Sequence, residues 1–207
     1  MDKQIVIARY GESIKWTRNI EKPYIIYDKF GNLIGDNVIQ LPNELEPGKT
    51  GREAHTYIHH IINNYDNLAE QTMFLQGWPF DHDPHALDSI NDDWKGDFRP
   101  IGRVAIWNRI SKSIITIANQ LWDGKIPLSK LMYIQGAQFE ISKWAIQSKP
   151  IEYYQRCWDC MWQFWDDAYP AIYFELFWIY VFMTDNPELR NSFTKYLATE
   201  YPKERYY

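Results

Sequence analysis

A short polar loop, residues 76–85, carries the densest set of side chains able to do chemistry. Asp81 and Asp83 bracket His82 in a D-x-D pattern, whose spacing lets two carboxylates share one hard divalent cation that is also bound by a diphosphate. The pattern is short, but it follows an apolar run, residues 72–75, that predicts a buried strand. Asp81 and Asp83 are therefore candidate ligands for Mn²⁺ or Mg²⁺.

Histidines offer a second chemistry in the same region. All five fall within 31 residues, on a predicted helix and on the D-x-D loop (His55, His59, His60, His82 and His85). Grouped with the aspartates, they could form a metal site for hydrolysis of phosphate or glycosidic bonds. A zinc-protease pattern is excluded because Thr56, and not a glutamate, follows His55.

Arg52 stands at the predicted start of that helix. Thr50 and Glu53 have the spacing of a capping box, and an apolar stripe from Ala54 to residue 65 recurs with helical period. A cation in a first turn opposes the helix dipole. Either Arg52 binds an anion such as a phosphate, together with the free amides of the first turn, or it is an ordinary solvated side chain.

Glu175 is the one acidic residue in an apolar and aromatic run, residues 169–183. A carboxylate in such surroundings is costly unless it is paired or has a function, and the function most often found is general base catalysis. At roughly 15 residues the run is shorter than the ~20 residues that cross a bilayer. We expect a core helix, with no transmembrane segment, and Glu175 as either a catalytic base or a paired structural carboxylate.

The elements that must position these groups follow an α/β pattern. Residues 4–8 and 24–27 read as buried strands with polar ends, and residues 37–41, 72–75 and 131–134 as further strands. Helices are predicted from residues 50, 111 and 151, while residues 86–102 read as irregular. Ligands of open α/β sheets bind beyond the carboxyl ends of strands. The residues at these ends therefore become candidates: Arg9, Tyr10, Gly11, Glu12, Asp28 and Lys29. We expect one domain over residues 1–207.

The composition of the chain excludes some classes of function and favours others. The net charge is −5 and no basic tract occurs, which argues against a nucleic-acid partner held by bulk electrostatics. Aromatic residues make up 17% of the chain and could stack on sugars or bases. The first residues lack the pattern of a secretion signal, so a cytoplasmic location is expected. Cys157 and Cys160 form a C-x-x-C pattern in a helical stretch, where buried free thiols are favoured over redox chemistry.

Five ordered motifs, spread from Ile5 to Met183, resemble one family. They are Val6-Ile7-Ala8-Arg9-Tyr10-Gly11-Glu12, Gly51-Arg52-Glu53-Ala54-His55-Thr56-Tyr57, Phe74-Leu75-Gln76-Gly77, Gly136-Ala137-Gln138-Phe139 and Glu175-Leu176-Phe177-Trp178. The family is a domain of unknown function common in fungi and found in bacteria and large algal viruses. The motifs also resemble the N-terminal glycosyltransferase domain of a chlorella-virus multidomain protein. This resemblance implies an enzyme of viral glycosylation.

The resemblance implies a GT-A-like fold, with a mixed, mostly parallel central sheet flanked by helices. It also implies a nucleoside diphosphate sugar, with UDP favoured, as donor substrate, and Mn or Mg as cofactor. By position, the donor would be bound by Ala8, Arg9, Tyr10, Glu12, Asp28, Arg52 and Gln76, and the metal by Asp81 and Asp83. The sequence departs from the family pattern because its D-x-D comes four residues later than expected.

The implied reaction is an inverting transfer to a hydroxyl of a carbohydrate acceptor, on a glycan or glycoprotein, with retention through a covalent intermediate as the alternative. Glu175 would deprotonate the acceptor, with Asp83 as alternative base, while Gln138 and Trp78 would position the sugars. Two other classes stay open at this point. One is the metal-assisted hydrolase described above, and the other is a non-catalytic carbohydrate-binding module, suggested by the aromatic content alone.

Overall fold

Six strands form one sheet with the expected α/β organisation. The fold is taken from a computed structural model and is described for residues 1–46, 49–163 and 170–201. The sheet contains β1 (Lys3–Arg9), β2 (Tyr24–Asp28), β3 (Val38–Gln40), β6 (Gln71–Gln76), β7 (Phe98–Pro100) and β10 (Phe139–Ser142). The remaining strands make two separate two-stranded antiparallel sheets: β4 (Glu44–Glu46) with β5 (Lys49–Thr50), and β8 (Val104–Trp107) with β9 (Leu131–Ile134).

The strand order is β3-β2-β1-β6-β10-β7. β3, β2, β1 and β6 are parallel, whereas β10 is antiparallel to both of its neighbours. The prediction of a mixed, mostly parallel sheet is therefore confirmed. After β3 the chain crosses to the other side of β1 to form β6, so the order reverses at β1. Reversals of this kind leave a crevice at the carboxyl ends of the two adjoining strands, where ligands of open α/β sheets bind.

Seven α-helices lie in the described ranges. They are α1 (Arg52–Asn64), α2 (Ala86–Asn91), α3 (Lys112–Trp122), α4 (Lys143–Gln147), α5 (Ile151–Gln163), α6 (Pro170–Met183) and α7 (Pro187–Thr199). No helix among the described residues is both long enough and apolar enough to cross a membrane. The core-helix interpretation of the apolar run is correct for α6, and residue 169, which was assigned to it, lies outside the described residues.

The sheet has an apolar core on each face. Successive side chains of a strand point to opposite faces, and β1 shows this directly: Ile5 and Ile7 belong to one cluster and Val6 to the other. The larger cluster packs α1, α5 and α6 against the sheet, and the smaller one includes Trp16 and residues of α2. Because both faces are covered, the central strands read as continuous apolar runs in the sequence.

Two local predictions are wrong. Residues 86–102 are not irregular, since they contain α2 and the sheet strand β7. The sequence does not indicate β7 because its central residue, Arg99, is charged. Arg99 is buried in the sheet because it forms ion pairs with Asp92 and Glu140. The loop before α1 contains the β4–β5 hairpin. The strand predicted at residues 131–134 is confirmed as β9, which pairs with β8 outside the main sheet.

The cysteine prediction is confirmed. Cys157 and Cys160 are free and buried on α5. Burial raises the pKa of both thiols, that of Cys160 to about 12. Thiols with such high pKa values carry little thiolate and are poor nucleophiles. The helix that holds them ends at Gln163 in the described range, and residues 164–167 of the predicted helix lie outside the described residues.

Candidate functional site

A cavity of about 440 Å³ opens at the crevice predicted by the strand order. Its wall combines the carboxyl ends of β1 and β6, the segment after β2, the β4–β5 hairpin and the first turn of α1. Six residues expected to bind the donor line it, and five further residues complete it. The lining is Ala8, Arg9, Tyr10, Glu12, Arg52 and Gln76, with Lys29, Asn43, Glu44, Thr50 and Glu53.

Asp28 does not line this cavity but holds Arg9 in place beside it. The Arg9 guanidinium donates to Asp28 Oδ1 at 2.6 Å and to Asn32 Oδ1 at 2.8 Å, and its Nε donates to the carbonyl of Glu12 at 2.8 Å. Asp28 Oδ2 accepts the backbone amides of Asn32 and Leu33. Burial raises the pKa of Asp28, but hydrogen bonds from the Leu33 amide and from Arg9 outweigh it and leave the pKa below its ordinary value.

The glycine of the Phe74-Leu75-Gln76-Gly77 motif makes room for Glu12. A Cβ at Gly77 would lie 2.5 Å from Glu12 Oε2 and 3.2 Å from the Cα of Arg9. Glu12 Oε2 also accepts the backbone amide of Tyr10 at 2.6 Å, which closes a tight turn after β1. The first and third motifs of the sequence therefore meet at one wall of the cavity.

Lys29, a candidate from its place at the end of a strand, also lines the cavity. Its backbone amide donates to the carbonyl of Arg9 at 3.0 Å, and its Nζ donates to the carbonyl of Arg52. The side chain is 8% exposed. Burial lowers the pKa of Lys29 to about 7, although the neighbouring Glu53 acts in the opposite direction. Its position just after β2 indicated a site residue, but the family resemblance assigned it no role.

The first turn of α1 differs from the predicted capping box. Gly51 is the N-cap and no side chain caps the helix, because Thr50 belongs to β5 and Glu53 is buried in the cavity wall. Arg52 has a φ of 43°, in the left-handed region, and its Nε lies 3.8 Å from Glu53 Oε2. Burial raises the pKa of Glu53, the Arg52 charge opposes this, and the charge of Glu175 adds to it.

Glu175 is not a lining residue of the cavity. It is half-buried on α6, and its Oε1 accepts the backbone amide of Gly136 at 2.9 Å. Its charge also contributes to the raised pKa values of Glu53 and Tyr57, which puts the three side chains in one neighbourhood. The carboxylate is thus oriented by a backbone donor and faces the same region as Glu53.

Gly136 also joins Glu175 to the D-x-D loop. A Cβ at this glycine would lie 2.2 Å from His82 Cδ2, so the imidazole packs directly on the backbone there. Gly136 has a φ of 73°, a value that side chains rarely adopt. The structure therefore connects the loop after β6, the turn before β10 and the catalytic candidate on α6.

The two aspartates of the loop do not converge on the cavity. Asp81 is exposed in a short 3-10 turn (Pro79–Asp81), whereas Asp83 is buried and accepts the amide of His85 through Oδ1 at 3.1 Å. Neither lines the cavity. Within the described ranges, no group of three or more His, Cys, Asp or Glu is placed to hold a metal ion. The donor set expected for Mn or Mg is therefore a poor fit to this geometry.

Gln138 and Trp78 are placed differently from each other. Gln138 is fully buried: its Oε1 accepts the amide of Gln76 at 3.3 Å and its Nε2 donates to the carbonyl of Pro79 at 3.0 Å. It joins β6 to the loop that follows. Trp78 is 41% exposed and packs against Phe80, with ring centroids 4.8 Å apart. Trp78 keeps an open face to which a ring could stack, whereas Gln138 acts as a tie between backbones.

The rings of His55 and His59 on α1 meet edge-on, with centroids 6.2 Å apart, whereas His82 and His85 lie on the loop after β6. His55 packs edge-on against Trp158 and Trp162, and burial lowers the pKa of His55 to about 3. His60 Nδ1 lies 3.0 Å from the hydroxyl of Tyr27. His59 also packs edge-on against Tyr27, His82 rests on Gly136, and His85 is exposed. Within the described ranges, these histidines belong to no group of three or more His, Cys, Asp or Glu that is placed to hold a metal ion, and the hydrolytic centre stays a prediction.

Comparison with known proteins adds one similarity. No curated protein and no solved structure matches the chain. A protein-family model does match, and it covers three of the five motifs, those at residues 6–12, 51–57 and 74–77. The turn with Gly136 and the helix with Glu175 lie outside the matched part. Over residues 5–95 the chain is similar to a family described as a protein of unknown function (DUF3431).

Proposed function

We propose that this protein is a glycosyltransferase that moves a sugar from a nucleoside diphosphate sugar, UDP-linked in preference, to a hydroxyl of a glycan or glycoprotein. The observation that carries the proposal is the cavity at the carboxyl ends of β1 and β6, with Arg52 and Lys29 beside the start of α1. Its volume of about 440 Å³ lies in the usual range of small-molecule sites, roughly 300–1,000 Å³. A crevice at a strand-order reversal beside a helix N-terminus suits a nucleotide.

In this proposal the donor spans the cavity. The diphosphate lies at Arg52 and the amides of the first turn of α1, where both the side-chain charge and the helix dipole favour an anion. The nucleoside lies against Ala8, Tyr10 and Glu12 at the end of β1. Asp28 acts indirectly, since it fixes Arg9 through a 2.6 Å ion pair.

The proposed chemistry is a single inverting displacement. Glu175 accepts the proton of the acceptor hydroxyl, whose oxygen then forms a bond to the anomeric carbon. The bond from that carbon to the diphosphate oxygen breaks, and the leaving diphosphate departs with the electron pair. Arg52 stabilises the charge that develops on it. The bond from the Gly136 amide keeps the Glu175 carboxylate in one orientation during the reaction.

Two further considerations favour a transferase over a hydrolase. The five motifs resemble the glycosyltransferase domain of the algal-virus protein, and three of them meet at the cavity wall. A hydrolase that uses the histidines would need several of them around one metal, whereas they are divided between α1 and the loop after β6. Trp78, with its open face beyond the end of β6, is the proposed platform for an acceptor sugar.

Titration calorimetry with UDP, GDP and UDP-glucose, each in Mn²⁺ and in EDTA, tests the donor site. Micromolar binding of one nucleotide supports the proposal and fixes the base preference. Failure of all three in both buffers contradicts it. For the chemistry, a sugar-release assay with and without an acceptor mixture separates the two classes, because a hydrolase frees sugar or phosphate in the absence of an acceptor.

A further inference from the structure

Lys29 is a buried cation, and within the described ranges no carboxylate forms an ion pair with it. Its side chain is more than nine-tenths buried but lines the cavity. Within the described ranges, Glu53 is the one carboxylate whose charge acts on it, and the ion pair of Glu53 is formed with Arg52. The Nζ is held by the carbonyl of Arg52. A lysine is rarely buried without a paired anion, because removing its charge from water is expensive.

The position of Lys29 places its charge where an anion would bind. Its backbone is fixed to Arg9 on β1, and its Nζ reaches the first residue of α1. Lys29 and Arg52 are thus two cations at one helix N-terminus, one deeply buried and the other half-exposed. The nearest carboxylate, Glu53, has a raised pKa, which reduces the negative charge that could compete with a ligand. The other two carboxylates of the lining, Glu12 and Glu44, come from other segments.

The carboxylates expected to bind a metal are elsewhere. Asp81 is solvent-exposed, Asp83 is buried with Oδ1 bound to the His85 amide, and neither belongs to the cavity lining. A cation bridging the D-x-D loop and the diphosphate would need both carboxylates at the cavity. The chain instead offers two fixed positive side chains at the place where the diphosphate is proposed to lie.

We propose that Lys29 and Arg52 together bind the diphosphate directly and take the role that a divalent cation would have, so that donor binding needs no metal. The identification of the ligand as a nucleoside diphosphate rests on the proposed function. The existence of an anion site at Lys29 and Arg52 does not depend on it. Lys29 touches the leaving group and neutralises it, and Arg52 supplies a second set of donors. An anion also gives the Lys29 ammonium an ionic partner, which the described part of the chain does not supply.

The test is calorimetric titration of the full chain with UDP and with inorganic pyrophosphate, in EDTA and in Mn²⁺. We expect UDP affinities that agree within about threefold in the two buffers, since each cation contact to phosphate is already supplied by the protein. Lys29→Met is expected to weaken both ligands at least tenfold, and Lys125→Met serves as the matched control. Lys125 is exposed, pairs with Asp185 and does not line this cavity.

The outcomes separate the two proposals. UDP binding that needs Mn²⁺ and is lost in Asp81→Asn overturns the metal-free inference and leaves the transferase proposal standing. Pyrophosphate binding that depends on Lys29, without any nucleotide binding, supports the anion site and contradicts the transferase. UDP binding in EDTA that Lys29→Met does not change overturns the role of Lys29. Thermal unfolding of each variant verifies that the loss of affinity is not loss of fold.

Discussion

Replacing Lys29 by methionine should make the protein more stable while it loses anion affinity. The folded chain holds the Lys29 pKa near 7, against an ordinary value of 10.5, because the side chain is buried. The unfolded chain therefore binds more protons between pH 7 and 10.5, and the free energy of unfolding rises with pH across that window. Below pH 7 the ammonium is charged in both states, and its full burial cost is present.

The size of the effect follows from the same shift. At about 1.4 kcal/mol per pKa unit, the lowering sets an upper limit of about 5 kcal/mol on the burial cost. Methionine has a similar length and no charge, but the variant loses the hydrogen bond to the Arg52 carbonyl, worth about 1 kcal/mol. Glu53 also loses a favourable neighbouring charge. We therefore expect Lys29→Met to be about 1–3 kcal/mol more stable at pH 6.

Urea unfolding at pH 6, 8 and 9.5 measures this difference. The gain in stability should be greatest at pH 6 and should fall steadily towards pH 9.5, where the wild-type lysine is neutral in the folded state. Lys125→Met, at an exposed ion pair, should change stability by less than about 0.5 kcal/mol at every pH. A Lys29→Met variant that is less stable than the wild type at pH 6, or a difference independent of pH, would refute the reasoning.

Three other predictions follow from named contacts. Glu175→Gln should reduce transfer by at least about 100-fold and leave UDP affinity within twofold, because the amide cannot accept the acceptor proton; near-normal turnover would remove Glu175 from the mechanism. Gly136→Ala should lower stability by about 2–4 kcal/mol in thermal or urea unfolding, since its Cβ would meet the His82 ring at 2.2 Å at a positive φ; unchanged stability would mean that the loop moves freely. Asp28→Asn should weaken UDP binding about tenfold, as Arg9 loses its 2.6 Å ion pair; calorimetry that finds equal affinity would show that Arg9 stays in place without it.

The sheet could be predicted because its strands obey a simple pattern. β1, β2 and β6 are covered on both faces, so their sequences are continuous apolar runs that stand out from the polar segments around them. Helix α1 could also be predicted, because its apolar residues recur with helical period. β7 could not be predicted because a charged residue, Arg99, stands in the middle of this three-residue strand. Arg99 is buried there because it forms ion pairs with Asp92 and Glu140.

The site residues that lie at strand ends could be predicted from the sequence. Those whose position depends on packing between distant segments could not. Arg9, Tyr10 and Glu12 follow a strand directly, and the rule about carboxyl ends places them correctly in the cavity lining. The spacing between Thr50 and Glu53 predicted a helix cap. In the structure Glu53 is instead buried and lines the cavity. The importance of Lys29 depends on the absence of an ionic partner in the described ranges, which no local pattern reveals.

The central claim is that the cavity at the ends of β1 and β6 binds a nucleotide. Backbone amide chemical shifts, followed by NMR during a UDP titration, test it most directly because they report location as well as affinity. The account predicts the largest changes at residues 8–12, 29, 50–53 and 76. Changes centred on the groove between α6 and α7 that contains Ile179, Arg190 and Phe193, or no changes at millimolar UDP, would contradict it.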